Sequence, residues 1–323
     1  MAKSKISIQY QQGFTLIELM ISLVLGLLIS AAALQVYMVI VRTNTAQAGA
    51  ADLQDVSIFG IQGIEKELRI ANLGSATKVI TNATADTGIV LSRANVQGAT
   101  TANFDVNWLT RTGGTDTPAT TGNVWKGTSG MDIRSDQLTL QYTNVTGTNQ
   151  VDCESFTVPT NAKVIERYFI RSTSTGLSLV CDAGRIDTAG TGPLAAADAV
   201  GTTPGIPGFG DAGQEIMSNI DQFKVLLGVQ TEAGQLTYIS PADYNALAST
   251  ATLYHAPIVA VKVGVIARSG KPIVISNPPT SFYQSTLFGT TNTATDTTTK
   301  YLRRTYESTS MLRNAQVVVL STL

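Results

Sequence analysis

The chain has 323 residues, with 22 basic against 23 acidic side chains, one histidine and two cysteines. This balance leaves no excess of Lys and Arg to displace counterions from phosphate, so no general nucleic-acid binding is expected. A zinc site built from several His and Cys ligands is nearly excluded, and a Ser-His-Asp triad would have to use His255. A charged fraction of 14%, with abundant Thr, Gly, Ala, Ser and Asn, suits an exported, strand-rich protein.

Residues 1–13 are polar, carry Lys3 and Lys5 and contain no acid, and an apolar run follows over 14–41. The 23 residues between Glu18 and Arg42 are uncharged, enough for a helix across a hydrocarbon core of about 30 Å. Positive charge before the run predicts a cytoplasmic amino terminus and translocation of everything after Arg42. Two plainer readings compete. Small residues at Ser30-Ala31-Ala32-Ala33 could serve a secretory signal peptidase, although the run continues past them to Val41. A simple membrane anchor would have no use for Glu18, whose carboxylate is costly in lipid.

Gly13-Phe14-Thr15-Leu16-Ile17-Glu18, placed after a short basic leader and before an unbroken apolar helix, resembles the processing motif of type IV prepilins and pseudopilins. The resemblance implies that a prepilin peptidase cuts between Gly13 and Phe14 and methylates the new terminus. It also implies that Phe14, Thr15 and Glu18 set assembly and register. In physical terms, cleavage would create an ammonium at Phe14 that a neighbouring subunit's Glu18 could neutralise. At about 4 Å and an effective dielectric near 20 the attraction is about 4 kcal/mol before desolvation. An intrachain contact is the alternative, since residues 14 and 18 are one helical turn apart.

Past Arg42 the chain turns polar, and Leu53, Val56, Gly60, Ile64, Leu68 and Ala71 recur at spacings of three and four, one face of a continuing amphipathic helix. Glu65, Lys66, Glu67 and Arg69 are expected on its other faces, and Asn72-Leu73-Gly74 ends it. Strands are then expected at 88–91, 137–142, 164–171, 177–181, 222–228, 258–267, 300–306 and 315–320. Segments 97–130, 183–214 and 288–299, rich in Thr, Gly or Pro, read as surface insertions; exposed loops of this kind often carry recognition. The expected fold is α+β and pilin-like: a leader over 1–13, a membrane-spanning or filament-core helix over 14–41, its amphipathic continuation over 42–72, and an antiparallel β-rich head over 73–323.

In an exported head Cys153 and Cys181 are expected to form a disulfide, the alternative being two free buried thiols. His255 has no companion ligand and reads as structural. Asp182 and Asp187 lack calcium-loop spacing and suit a turn. Lys300, Arg303, Arg304 and Arg313 make a locally basic region, expected on solvated strand faces. No phosphate-binding glycine loop, nucleophile elbow or zinc-protease helix motif occurs, so no cofactor, metal or enzymatic activity is expected.

The order of Glu166–Ile170, Leu177–Asp182, Ile216–Gly228, Ile258–Arg268, Tyr301–Arg304 and Leu312–Asn314 resembles the PilW family of large minor pilins, with J-type minor pseudopilins of type II secretion sharing a similar plan. The resemblance implies a non-enzymatic subunit that waits in the inner membrane with a periplasmic head, then joins a priming complex at the pilus tip. Implied partners are prepilin peptidase, other minor pilins, the major pilin, the inner-membrane assembly platform and membrane lipid. The implied activities are twitching motility, adhesion or DNA uptake. A type II minor pseudopilin is the nearest alternative; a membrane-anchored adhesin or binding module is one of another class.

Overall fold

A computed structural model describes residues 13–55, 60–113, 125–126, 132–173, 176–187, 206–231, 233–273, 275 and 277–316. The chain divides into two compact units, residues 1–48 and 49–323. Helix α1, Leu16–Asp55, enters both. Within residues 14–41 its large apolar side chains, from Phe14 to Val41, are exposed. The span Leu16–Gln54 is long and apolar enough to cross a membrane. Its hydroxyls are quenched locally: Ser22, Ser30 and Thr43 donate to the carbonyls of Glu18, Gly26 and Val39, four residues back. A helix in lipid needs that internal satisfaction.

The second unit is built around α2, Ile61–Ile70. Leu53, Gly60, Ile64, Leu68 and Ala71 of the expected stripe are buried, while Val56 lies outside the described residues. Asn72 stops the helix in left-handed backbone, φ 64°, where asparagine is among the few tolerated side chains. Its amide donates to the carbonyls of Thr77 and Asn314, and its carbonyl oxygen accepts from the Gly88 N–H at 2.7 Å.

The stripe packs against the inner faces of two antiparallel four-stranded sheets. One has the order β3-β6-β7-β8, formed by Leu138–Thr143, Lys163–Thr173, Gly176–Asp187 and Gln214–Ser218. The other has the order β10-β9-β11-β14, formed by Leu236–Ile239, Ile220–Gln230, Ile258–Arg268 and Arg303–Met311. Leu140, Tyr168 and Leu179 from the first sheet and Val225, Leu227, Val263 and Val265 from the second share one core with Ile64 and Leu68. Between β10 and β11 lies the short α3, Pro241–Asn245.

Both sheets are also covered on the far side, which explains why β11 reads as the nearly unbroken apolar run IVAVKVGVIA. Over the first sheet, Phe104 and Trp108 meet Ile206 and Phe209 around Ile165. The aromatic rings stack edge to face, with centroids 5.4 Å apart for Phe104–Trp108 and 5.1 Å for Trp108–Phe209. Two side-chain amides hold this cover down: Gln137, just before β3, donates to the carbonyls of Asn107 and Leu109, and Gln141 of β3 to those of Thr87 and Asn95. Over the second sheet lies a small sheet of order β12-β13-β1-β2, formed by Gln284–Leu287, Thr290–Ala294, Trp125–Lys126 and Asp132–Ile133. Trp125, Ile266, Leu287 and Ala294 pack there.

The sequence reading needs correction at several points. The segments 97–130, 183–214 and 288–299 are not surface insertions where they are described. Each carries a few anchors, such as Trp108, Phe209 and Ala294, that a low average apolar content conceals. Residues 88–91 form no strand; Ile89 makes a single bridge to Leu140. The strand expected at 300–306 is displaced to Arg303–Met311. That expected at 315–320 lies outside the described residues from 317 onward. Glu67 falls on the buried stripe, three residues past Ile64, instead of on a solvated face. Asp182 is not in a turn: it lies in β7 and is buried against the Arg167 guanidinium at 2.7 Å.

Arg303 departs most sharply from a solvated strand face. It is buried, donates to Asp221 of β9 at 2.7 Å and stacks 5.3 Å from the Trp125 ring centroid. Arg268 of β11 approaches the same carboxylate at 3.2 Å. Asp221→Ala strands two guanidinium groups in a low-dielectric site and is expected to cost about 3–5 kcal/mol; thermal unfolding of the detergent-solubilised chain checks it.

Candidate functional site

The first candidate site is the start of α1. Phe14 is 85% exposed. The Thr15 N–H donates to Glu18 Oε2 at 3.0 Å, the Thr15 hydroxyl to the same oxygen at 2.9 Å, and the Glu18 N–H to Thr15 Oγ1 at 3.3 Å. This is a capping box: the N-cap threonine and the glutamate three residues on satisfy one another's orphan N–H groups. The signal was in the sequence as Thr15-x-x-Glu18. It gives Glu18 an intrachain role before any cleavage, through its neighbour Thr15 and not through residue 14. One carboxylate oxygen is engaged, and no hydrogen bond to Oε1 is seen among the described residues.

The second is inside the head, where the disulfide, β6 and α2 converge. Cys153 and Cys181 are bonded, with Cα atoms 6.1 Å apart. A disulfide has no thiolate, so these sulfurs are not metal ligands although Glu166 lies close to both. Closing this loop contributes on the order of 3 kcal/mol on the chain-entropy account. Glu166 of β6 is fully buried. Its Oε2 accepts from the Tyr168 hydroxyl at 2.8 Å, and its Oε1 from the Cys153 N–H at 3.2 Å and the Tyr142 hydroxyl at 3.4 Å. Burial, then the nearby Glu67 carboxylate, push its carboxyl up to about 8. Burial also raises Glu67, against the pull of Lys66. The sequence reading missed this group because Glu67 and Glu166 are 99 positions apart and only the packing of α2 on β6 unites them.

His255 has its expected structural character: its Nδ1 lies 2.6 Å from the Asn82 side-chain oxygen, and its ring rests on Tyr254. Nothing among these residues forms a nucleophile and base pair.

An apolar amino-terminal helix opened by a processing-type motif, followed by a disulfide-closed antiparallel head, is the architecture of a pilin. Residues 8–34 match the prokaryotic N-terminal methylation motif, and residues 167–314 match the family of type IV pilus-assembly protein W. The head is therefore similar to that family over residues 167–314, behind a helix that carries the methylation motif. A type IV-like pilin from Thermus thermophilus is similar over 83% of this chain and 97% of its own, at 13% identity and a TM-score of 0.34. No curated protein matches the chain.

The buried carboxyl sets a pH dependence. Its folded pKa lies above the ordinary 4.5, so the native state binds the proton more tightly than the unfolded chain. The stability this group contributes is fully present below about pH 4.5 and is lost as pH rises toward 8, by up to about 1.4 kcal/mol per unit. Glu166→Gln should flatten that slope in denaturant melts taken from pH 5 to 8.5.

Proposed function

We propose that this protein is a minor type IV pilin that primes pilus assembly and takes its place in a complex at the pilus tip. The carrying observation is the Gly13-Phe14 motif on a helix whose Glu18 is already oriented by Thr15, joined to a PilW-type head. The precursor would wait in the inner membrane, its head in the periplasm, and meet prepilin peptidase there. Cutting after Gly13 leaves an ammonium on Phe14. In a bundle of such helices the open Oε1 of Glu18 can take a neighbour's terminus while Oε2 keeps its Thr15 contacts, so the cap orients the carboxylate without consuming it.

In this reading the chain does no chemistry. It contributes helix and head to a set of minor pilins, and the resulting nucleus is extended by the major pilin on the inner-membrane platform. Twitching motility, adhesion and DNA uptake are downstream of that event. Deleting the gene should abolish surface pili and leave exoprotein secretion intact; the reverse pattern identifies a type II minor pseudopilin.

Two outcomes test the residues. Gly13→Leu should block maturation, so coexpression with prepilin peptidase should give no mobility shift and no methylated Phe14 by mass spectrometry. Glu18→Ala should still be processed, yet its amount in sheared pili should fall at least tenfold. Normal incorporation removes Glu18 from the assembly step.

A further inference from the structure

Beneath α2 lies a cavity of about 230 Å³. Its walls are apolar: Ile64, Ile216, the Tyr168 ring and the Cys153 end of the disulfide, with Gly63 adding backbone alone. Into this lining comes one carboxylate, Glu67. The residue is only 8% exposed, and its Oε2 is buried without a hydrogen-bond partner. Oε1 lies 3.7 Å from the ammonium of Lys66, a side chain that is itself 71% exposed. A buried carboxylate oxygen facing no donor is costly, and here that cost coincides with unfilled space.

The groups around Glu67 do not relieve it. From β6 come Glu166 and Tyr168, whose hydroxyl is already spent on Glu166. From β3 comes Tyr142, also turned to Glu166. Asp152 adds further negative charge and is paired with Arg185 at 2.6 Å. The site therefore has a surplus of acid and a deficit of donors, within walls that suit hydrocarbon. We infer that this cavity is a binding site for an alkyl cation, an ammonium or guanidinium on an apolar stem, whose head pairs with Glu67 and whose stem lies against Ile64, Ile216 and Tyr168. A lysine or arginine side chain of another subunit and a free amine share that chemistry. The site stands whether or not the chain enters pili, because it is complete within residues 60–216 of one head.

Gly63 supplies a variant that spares the fold. A Cβ there meets nothing within 4 Å, and replacing a helical glycine raises helix propensity, so Gly63→Leu grows into open space at the cavity. Titrate the detergent-solubilised full chain with n-butylguanidinium and n-butylammonium by calorimetry, using n-butanol as the uncharged control. Saturable binding of a cation at least tenfold tighter than butanol, weakened at least tenfold in both Glu67→Gln and Gly63→Leu with no loss of melting temperature, is the expected result. Equal binding of cation and butanol, or Glu67→Gln within twofold of the wild type, overturns the assignment. Carbodiimide treatment of sheared pili separates the two sources. A Glu67 peptide joined to another subunit's lysine identifies a lysine side chain as occupant; butylammonium binding without such a joint leaves an arginine side chain or a free cation, which Glu67 protection from carbodiimide modification in sheared pili but not in the isolated chain assigns to arginine.

Discussion

The head depends on one constraint: the stripe carried by Leu53, Ile61, Ile64, Leu68 and Ala71 packs with the inner faces of two different sheets in a single core. At about 1.5–3 kcal/mol for each large side chain removed from water, this helix contributes several kcal/mol to a fold whose net stability is only of order 5–15 kcal/mol. The two sheets also meet without it. Asp136, just before β3, accepts from the Val225 N–H and pairs with Lys224 of β9 at 2.5 Å, while its own N–H donates to the Phe223 carbonyl. Burial raises its carboxyl despite that lysine, so the link holds best where the aspartate is charged and Lys224 is in place.

Covering both sheets on their far sides changes what polar residues do. In an ordinary two-layer head, Gln137, Thr139 and Gln141 would alternate outward into water. Here they reach the backbone of residues 87–109 and add hydrogen bonds to the apolar contacts that fasten a third layer. Charged residues are recruited in the same way, with Arg167, Arg185, Arg268 and Arg303 each set against an aspartate. A chain with few charges thus places a good share of them inside, and they fix which strands adjoin.

How much of this the sequence disclosed follows from the length scale of each signal. The apolar run, the stripe and its Asn72 stop are local periodicities, and they emerge as α1 and α2. Strands with a solid apolar run, such as β11, were legible for the same reason. Arg303 and Asp221 are 82 positions apart, and nothing local marks either as buried. Likewise Trp108 and Phe209 lie in segments otherwise rich in Thr, Gly, Asn or Pro and without strand or helix periodicity, so that those segments resemble solvated loops. At the amino terminus the Gly13 motif could be read directly, whereas the capping box of Thr15 and Glu18 is an equally local signal that went unused.

The junction at Asn72 has a bearing on the order in which the head can close. Its amide grips the carbonyl of Asn314, and the Gln316 N–H donates to the Lys78 carbonyl. The foot of α2 is thereby clasped to residue 314, 242 positions further along the chain. The helix is made first, yet its final anchor, together with β14 and the arginine that answers Asp221, follows every other described strand in chain order. Delivery from the amino end therefore leaves the head open until β14 has emerged, and the wait exposes unpaired strand edges to whatever stands nearby. The clasp acts as an inspection point: a chain lacking residues 303–316 keeps the sequence of both helices but loses β14 and the Asn314 carbonyl that fasten the head.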